Sequence, residues 1–144
     1  TKSVLPTMQK QKSGHISVIC SSSGKFGFFL RSSYSASKFA QIGFFESLRL
    51  EELKNNIFIS LVFPFLIKTN IAINAISEEG SPVNQKDPLI ENGISPEKCA
   101  QDIIDGIMDK KKEIYSGGKG SWILKIKRFF PELFFRIIKN QNKY

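Results

Sequence analysis

The sequence is poor in the residues that hold metals and cross-link chains. One His and two Cys among 144 residues, with no Cys-x-x-Cys pair, cannot by themselves furnish a four-ligand metal site or a disulfide framework. No metal is therefore expected, and Cys20 reads as a buried strand residue and Cys99 as a helix residue, both structural. No stretch approaches the ~20 apolar residues that a membrane-crossing helix needs, because Lys125, Lys127 and Arg128 interrupt the most apolar segment. There is no internal repeat, no low-complexity tract and no signal-peptide pattern, which makes a reducing compartment the default expectation. A further absence is a glycine-rich turn of the Gly-x-x-x-Gly-x-Gly or Gly-x-Gly-x-x-Gly kind, which would let a backbone approach a pyrophosphate at a helix N-terminus. Gly117-Gly118-Lys119-Gly120 follows only a short strand-like run and precedes no P-loop pattern, so it reads as a turn.

What is present is a globular composition, 41% apolar with 13 Phe, and one informative pair. In Tyr34-Ser35-Ala36-Ser37-Lys38 a phenol and an ammonium lie four residues apart, which on a helix is one face. A fixed cation beside a phenol stabilises the phenolate and draws its proton exchange toward working pH. Many helices carry Tyr and Lys at this spacing without any chemistry, so the surroundings decide. His15 to Cys20 reads as a buried strand running into the turn-rich Ser21-Ser22-Ser23-Gly24. Phe39 to Leu53 has helical periodicity, and Ile57 to Phe63 is a second β-rich run stopped by Pro64.

The order of strand, serine, Tyr-x-x-x-Lys helix, strand and Pro-x-x-Ile-x-Thr resembles the short-chain dehydrogenase/reductase family. Gly14 to Gly24 is similar to its strand and serine loop, Tyr34 to Lys38 to its signature, Gly43 to Glu51 to the following helix, and Pro64 to Asn70 to its cofactor-side loop. The resemblance implies an α/β fold, the C-terminal part of a doubly wound parallel-sheet Rossmann-type domain whose N-terminal dinucleotide-binding half is missing. It implies an NAD(P)-dependent oxidoreductase interconverting a carbonyl and an alcohol. Tyr34 would be the acid/base, Lys38 would lower its pKa and hold the nicotinamide ribose, and Ser21 would orient the substrate oxygen. Pro64, Ile67 and Thr69 would flank the nicotinamide of NAD or NADP. A homo-oligomer is implied as well, with Gly43 allowing close approach of helices. Phe65 departs from the family pattern, standing where Gly is usual, and Val18 and Cys20 stand where Asn and Ser are common. The alternative is a non-catalytic binding or peripheral membrane module on the same fold.

Residues 1–120 are expected to form the catalytic part of a single domain and 121–144 a basic amphipathic C-terminal helical tail. Thr1 to Gln11 reads as a helix tail ended near Gly14, and the missing initiator Met suggests part of a longer protein. Ile71 to Ser95, with Ser77-Glu78-Glu79-Gly80-Ser81-Pro82, has the length of a substrate lid. Ser95-Pro96-Glu97 caps a helix whose apolar face would be Ala100, Ile103, Ile104 and Ile107, and Glu113 to Ser116 reads as a last strand. Charge is uneven. Through Asp109 the chain has 11 basic and 11 acidic residues, and from Lys110 onward 10 and 2. In the tail, Trp122, Ile123, Ile126, Phe129, Phe130, Leu133, Phe134, Ile137 and Ile138 recur at helical spacing opposite Lys125, Arg128, Glu132, Arg136 and Lys139, with Pro131 kinking the helix or starting another. Such a helix suits the surface of an anionic membrane, and its face equally suits docking on the protein's own core or a twin subunit. The expected location is cytoplasmic, with peripheral membrane contact through 121–144. Nucleic acid is disfavoured, because the rings sit among aliphatic rather than basic residues.

The 144 residues alone are expected to show no affinity for NAD or NADP, since the pyrophosphate turn is absent. Isothermal calorimetry checks this, and micromolar binding would refute it.

Overall fold

The computed structural model describes residues 1–76, 80–82, 84 and 87–139. Ser77, Glu78 and Glu79 of the expected lid and residues 140–144 of the expected tail fall outside them. Three parallel strands, β1 (Gly14–Ile19), β2 (Ile57–Pro64) and β3 (Glu113–Ser116), lie in the order β1-β2-β3. Gly14 pairs with Ile57 through to Ile19 with Val62, and Leu61 pairs with Glu113 through to Pro64 with Ser116. As the middle strand, β2 is buried on both faces, and Ile59, Ser60, Leu61, Val62 and Phe63 have no exposure at all. A parallel pair needs a crossover, and helices supply it. Between β1 and β2 runs α2 (Ser32–Glu51), whose Ile42 packs with Cys20, Leu61 and Phe63. Between β2 and β3 runs α4 (Pro96–Met108), whose Gly106 lies against Ile114. Ile114 pairs with Val62, on the face opposite Leu61 and Phe63, so the two helices cover opposite sides of the sheet. This is a parallel α/β arrangement of the kind found in a partial Rossmann-type fold.

The elements match the sequence pattern with two shifts. A helix α1 (Leu5–Gln11) precedes β1 and stops at Lys12, whose left-handed φ of 54° ends it before Gly14. On α4, Cys99 and Gly106 are buried and Ile103 and Ile107 half-buried, while Ile104 is 53% exposed and Ala100 exposed. The expected face is thus rotated. The reason is Gly106: a Cβ there would stand 2.6 Å from Ile114 Cγ1, so only glycine lets the helix backbone close on β3.

Polar groups inside the sheet are paired. The fully buried Ser60 donates to Lys111 O at 2.7 Å, which leaves its oxygen to accept from His15 Nε2 at 2.8 Å. Arg49 on α2 donates to Ile59 O and Lys112 O at 3.0 and 2.9 Å, tying the helix to the sheet. Glu113 accepts from Lys25 Nζ at 2.7 Å and from the Tyr115 hydroxyl. Burial pushes the Glu113 carboxyl up, but those two donors outweigh it and hold the group below the usual carboxylate range. Burial, and then Glu113, push the Tyr115 phenol up.

The segment from Ile71 to Ser95 contains the isolated bridge Ile76–Pro82 and the short helix α3 (Pro88–Glu91), capped by Asp87 Oδ1 accepting from Leu89 N at 2.8 Å. Among the described residues the tail forms two helices, α5 (Trp122–Phe129) and α6 (Pro131–Lys139), with Pro131 starting the second. Phe134 and Ile138 are buried on Phe26, with Ile123, Leu124, Ile126 and Phe65 packed around them.

Because Phe134 is only 1% exposed, Phe134→Ala should cost about 3–5 kcal/mol of stability. Phe129, 68% exposed on the neighbouring helix, should tolerate Phe129→Ala within about 0.5 kcal/mol. Denaturant midpoints of the two variants check this, and equal effects would contradict the docking of α6.

Candidate functional site

The serine loop begins where β1 ends. Cys20 N still donates to Val62 O at 2.9 Å, and the next residue, Ser21, is extended and caps a 3-10 turn over Ser22–Gly24. Ser21 Oγ accepts from Ser23 N at 3.1 Å. With that lone pair occupied by the loop itself, the hydroxyl proton is free to point at a ligand. Gly24 brings the loop onto α2: a Cβ there would stand 2.7 Å from Ile42 Cδ1 and 3.0 Å from Lys38 O.

Tyr34 lies in the first turn of α2 and is 43% exposed. Lys38, one turn later, places Nζ 5.7 Å from the Tyr34 ring centroid. The ammonium is anchored by Gln41 Oε1 at 3.2 Å and by Ile19 O at 3.4 Å, the carbonyl at the end of β1. The expected helical pairing is thus present, with the cation held from behind by the strand that carries Ser21.

The third wall follows β2. Phe65 N donates to Ser116 O at 2.7 Å, and the backbone of Leu66 to Lys68 pairs with Ile94 through bonds of 3.0 and 2.9 Å. Here the Phe65 departure finds its counterpart. A Cβ on Gly117 would stand 2.4 Å from Phe65 Cβ, so the glycine after β3 makes room for the side chain that replaces glycine after β2. The space for this side chain comes from a residue that in sequence reads only as a turn.

One cleft of about 360 Å³ gathers Ser21, Tyr34, Pro64, Ile67 and Thr69. Lys38 is not in its lining and stands behind Tyr34. Five of the six expected residues therefore share a wall, although they come from three separate segments. Cys20, Ser22, Ser23, Phe65 and Leu66, also in the lining, belong to the two loops already read from the sequence, whereas other lining residues were given no part in the site there. Phe26, Phe28 and Arg31 fall in the irregular stretch before α2, Asp87 and Ile90 in the long connection, and Ile138 in the tail. The connection is marked in the sequence by its length and Ile138 by the apolar period of the tail, but nothing local assigns Ile138 to the cleft, which it reaches through the packing of α6 on Phe26.

Residues 1–80 match the family model described as short chain dehydrogenase, and the chain belongs to that family. Among curated relatives, it is 38% identical to mouse "Dehydrogenase/reductase SDR family member 7B" over 99% of this chain and 45% of that protein. It is also 38% identical to the Drosophila melanogaster "Dehydrogenase/reductase SDR family protein 7-like", over 96% of this chain and 43% of that one. The chain thus spans less than half the length of these relatives. Among solved structures, it is similar in fold to a short chain dehydrogenase from Burkholderia cenocepacia J2315 in complex with NADP, with TM-score 0.73, 17% identity and coverage of 95% of this chain and 52% of that one. A Burkholderia phymatum short chain dehydrogenase/reductase in complex with NAD gives TM-score 0.70 and 18% identity over 92% and 53%.

Cys20 lines the cleft but is 4% exposed. Burial pushes its thiol up, against a smaller opposing pull from Lys38 and Lys25. Its alkylation by iodoacetamide at neutral pH should therefore run at least about ten-fold slower than that of a free thiol. Mass spectrometry of the modified peptide reads this, and rapid labelling would mean that the floor of the cleft opens.

Proposed function

We propose that the protein is an NAD(P)-dependent oxidoreductase that interconverts a carbonyl and an alcohol on a small-molecule substrate. The observation that carries this reading is that Ser21 and Tyr34, from two different elements, line one cleft while the Lys38 ammonium is anchored beside the Tyr34 ring. The wall opposite fits the nicotinamide end of a dinucleotide. Pro64 and Ile67 would offer it an apolar surface and Thr69 a hydroxyl for its carboxamide, while from the α2 side, outside the cleft lining, Lys38 would offer a cation to its ribose hydroxyls. When bound, the dinucleotide supplies or accepts hydride.

In the reductive direction the substrate carbonyl oxygen takes the Tyr34 proton as its carbon receives hydride, and the C=O π pair becomes the O–H bond. Ser21 donates a hydrogen bond to the same oxygen and stabilises the charge that develops on it. Lys38 stabilises the phenolate left on Tyr34 until solvent restores the proton. Oxidation runs the same steps backward, with Tyr34 accepting the alcohol proton. Asp87, Leu89 and Ile90 bring the long connection to the cleft, which supports its reading as a substrate lid. Leu50, 70% exposed, lies two turns along α2 from Gly43 on the same face, where a Cβ added at Gly43 would meet nothing. That face supports a homo-oligomer.

Tyr34→Phe should lower turnover by roughly 100-fold to 10,000-fold while leaving cofactor affinity within a few fold, because it removes the transferable proton and little else. Lys38→Met should damage both turnover and cofactor binding. Steady-state kinetics and calorimetry separate the two effects. Retention of more than about a tenth of the activity in Tyr34→Phe would remove the assignment of the acid/base.

A further inference from the structure

The tail has two sets of apolar side chains, and only one is used inside the protein. Phe134 and Ile138 fix α6 on Phe26, and Ile123, Leu124 and Ile126 fix α5 around them. With the helices held there, Phe129, Phe130, Leu133 and Phe135 stand outward at 68%, 63%, 46% and 58% exposure. Residues 122–139 carry five cations and a single acid, Glu132. Arg128, Arg136 and Lys139 are exposed, and no described acidic side chain pairs with them. Beside Phe129, a hollow between the tail and β3 is lined by Lys25, Lys127, Arg128 and Ser121. Lys25 is neutralised by Glu113, whereas Lys127 donates to the uncharged Lys25 carbonyl, so Lys127 and Arg128 both bring positive charge to its edge.

We propose that the α5–α6 face docks on an anionic phospholipid bilayer, its rings entering the headgroup boundary and Arg128, Arg136 and Lys139 meeting lipid phosphate. Exposed rings bordered by cations are what such an interface selects. A second copy of the same face is a poor occupant, because two-fold pairing would set like charges against each other. The inference stands apart from the oxidoreductase reading, since it uses none of Ser21, Tyr34 and Lys38.

The test is flotation of the protein with vesicles of phosphatidylcholine alone and of phosphatidylcholine with equimolar phosphatidylserine, at low and at physiological salt. Binding is expected to the anionic vesicles only and to weaken with salt. The double change Arg128→Gln/Arg136→Gln should weaken it roughly thirty-fold. Phe129→Ser/Phe130→Ser should remove the salt-resistant part, and both variants should keep the parent's melting temperature because the altered side chains are exposed. Absence of binding, equal binding to both vesicles, or an unchanged Arg128→Gln/Arg136→Gln variant would overturn the proposal. A concentration-dependent dimer in sedimentation that Phe129→Ser/Phe130→Ser abolishes would assign the face to a second copy and overturn it equally.

Discussion

The contact on which the site depends is the close approach of the serine loop to helix α2 at Gly24. Two backbones meet there with no room for a methyl group, and Lys38 is on the other side of the contact. Its carbonyl faces Gly24 while its ammonium reaches back to the carbonyl of Ile19, so the residue is fixed at both ends by the strand and loop that carry Ser21. Ile42, which also touches Gly24, continues into the core through Leu61 and Phe63. The distance between a serine at a strand end and a tyrosine at a helix start is thereby set by core packing rather than by flexible side chains, which is what the proposed acid/base role of Tyr34 would require.

A second close approach fixes the opposite wall. Phe65 adds a ring to the loop after β2, and that ring joins Phe26, Phe134 and Ile138 in the cluster that seats the tail. Gly117 gives up the space that Phe65 takes. A single residue change in this loop is therefore coupled to the turn after β3 and to the docking of α6. Through Ile138 the tail becomes part of the cleft. The inner face of the tail thus packs on Phe26 and Phe65, while its outer surface keeps the basic amphipathic character seen in the sequence.

What the sequence by itself determined is local. The β-rich runs became β1, β2 and β3, the capping serine and proline at 95 and 96 started α4, and the spacing of Tyr34 and Lys38 placed them one turn apart on one helix. Periodicity, caps and short motifs act over a few residues and can be read in one dimension. The tertiary structure alone decided the rest: which face of α4 is buried, because Gly106 must meet Ile114; how Phe65 is tolerated, because Gly117 lies beside it; and that Ile138 closes a cleft begun by Ser21. Each of these is a contact between residues far apart in the chain, created by strand register and helix packing, and no neighbouring residue carries its signature.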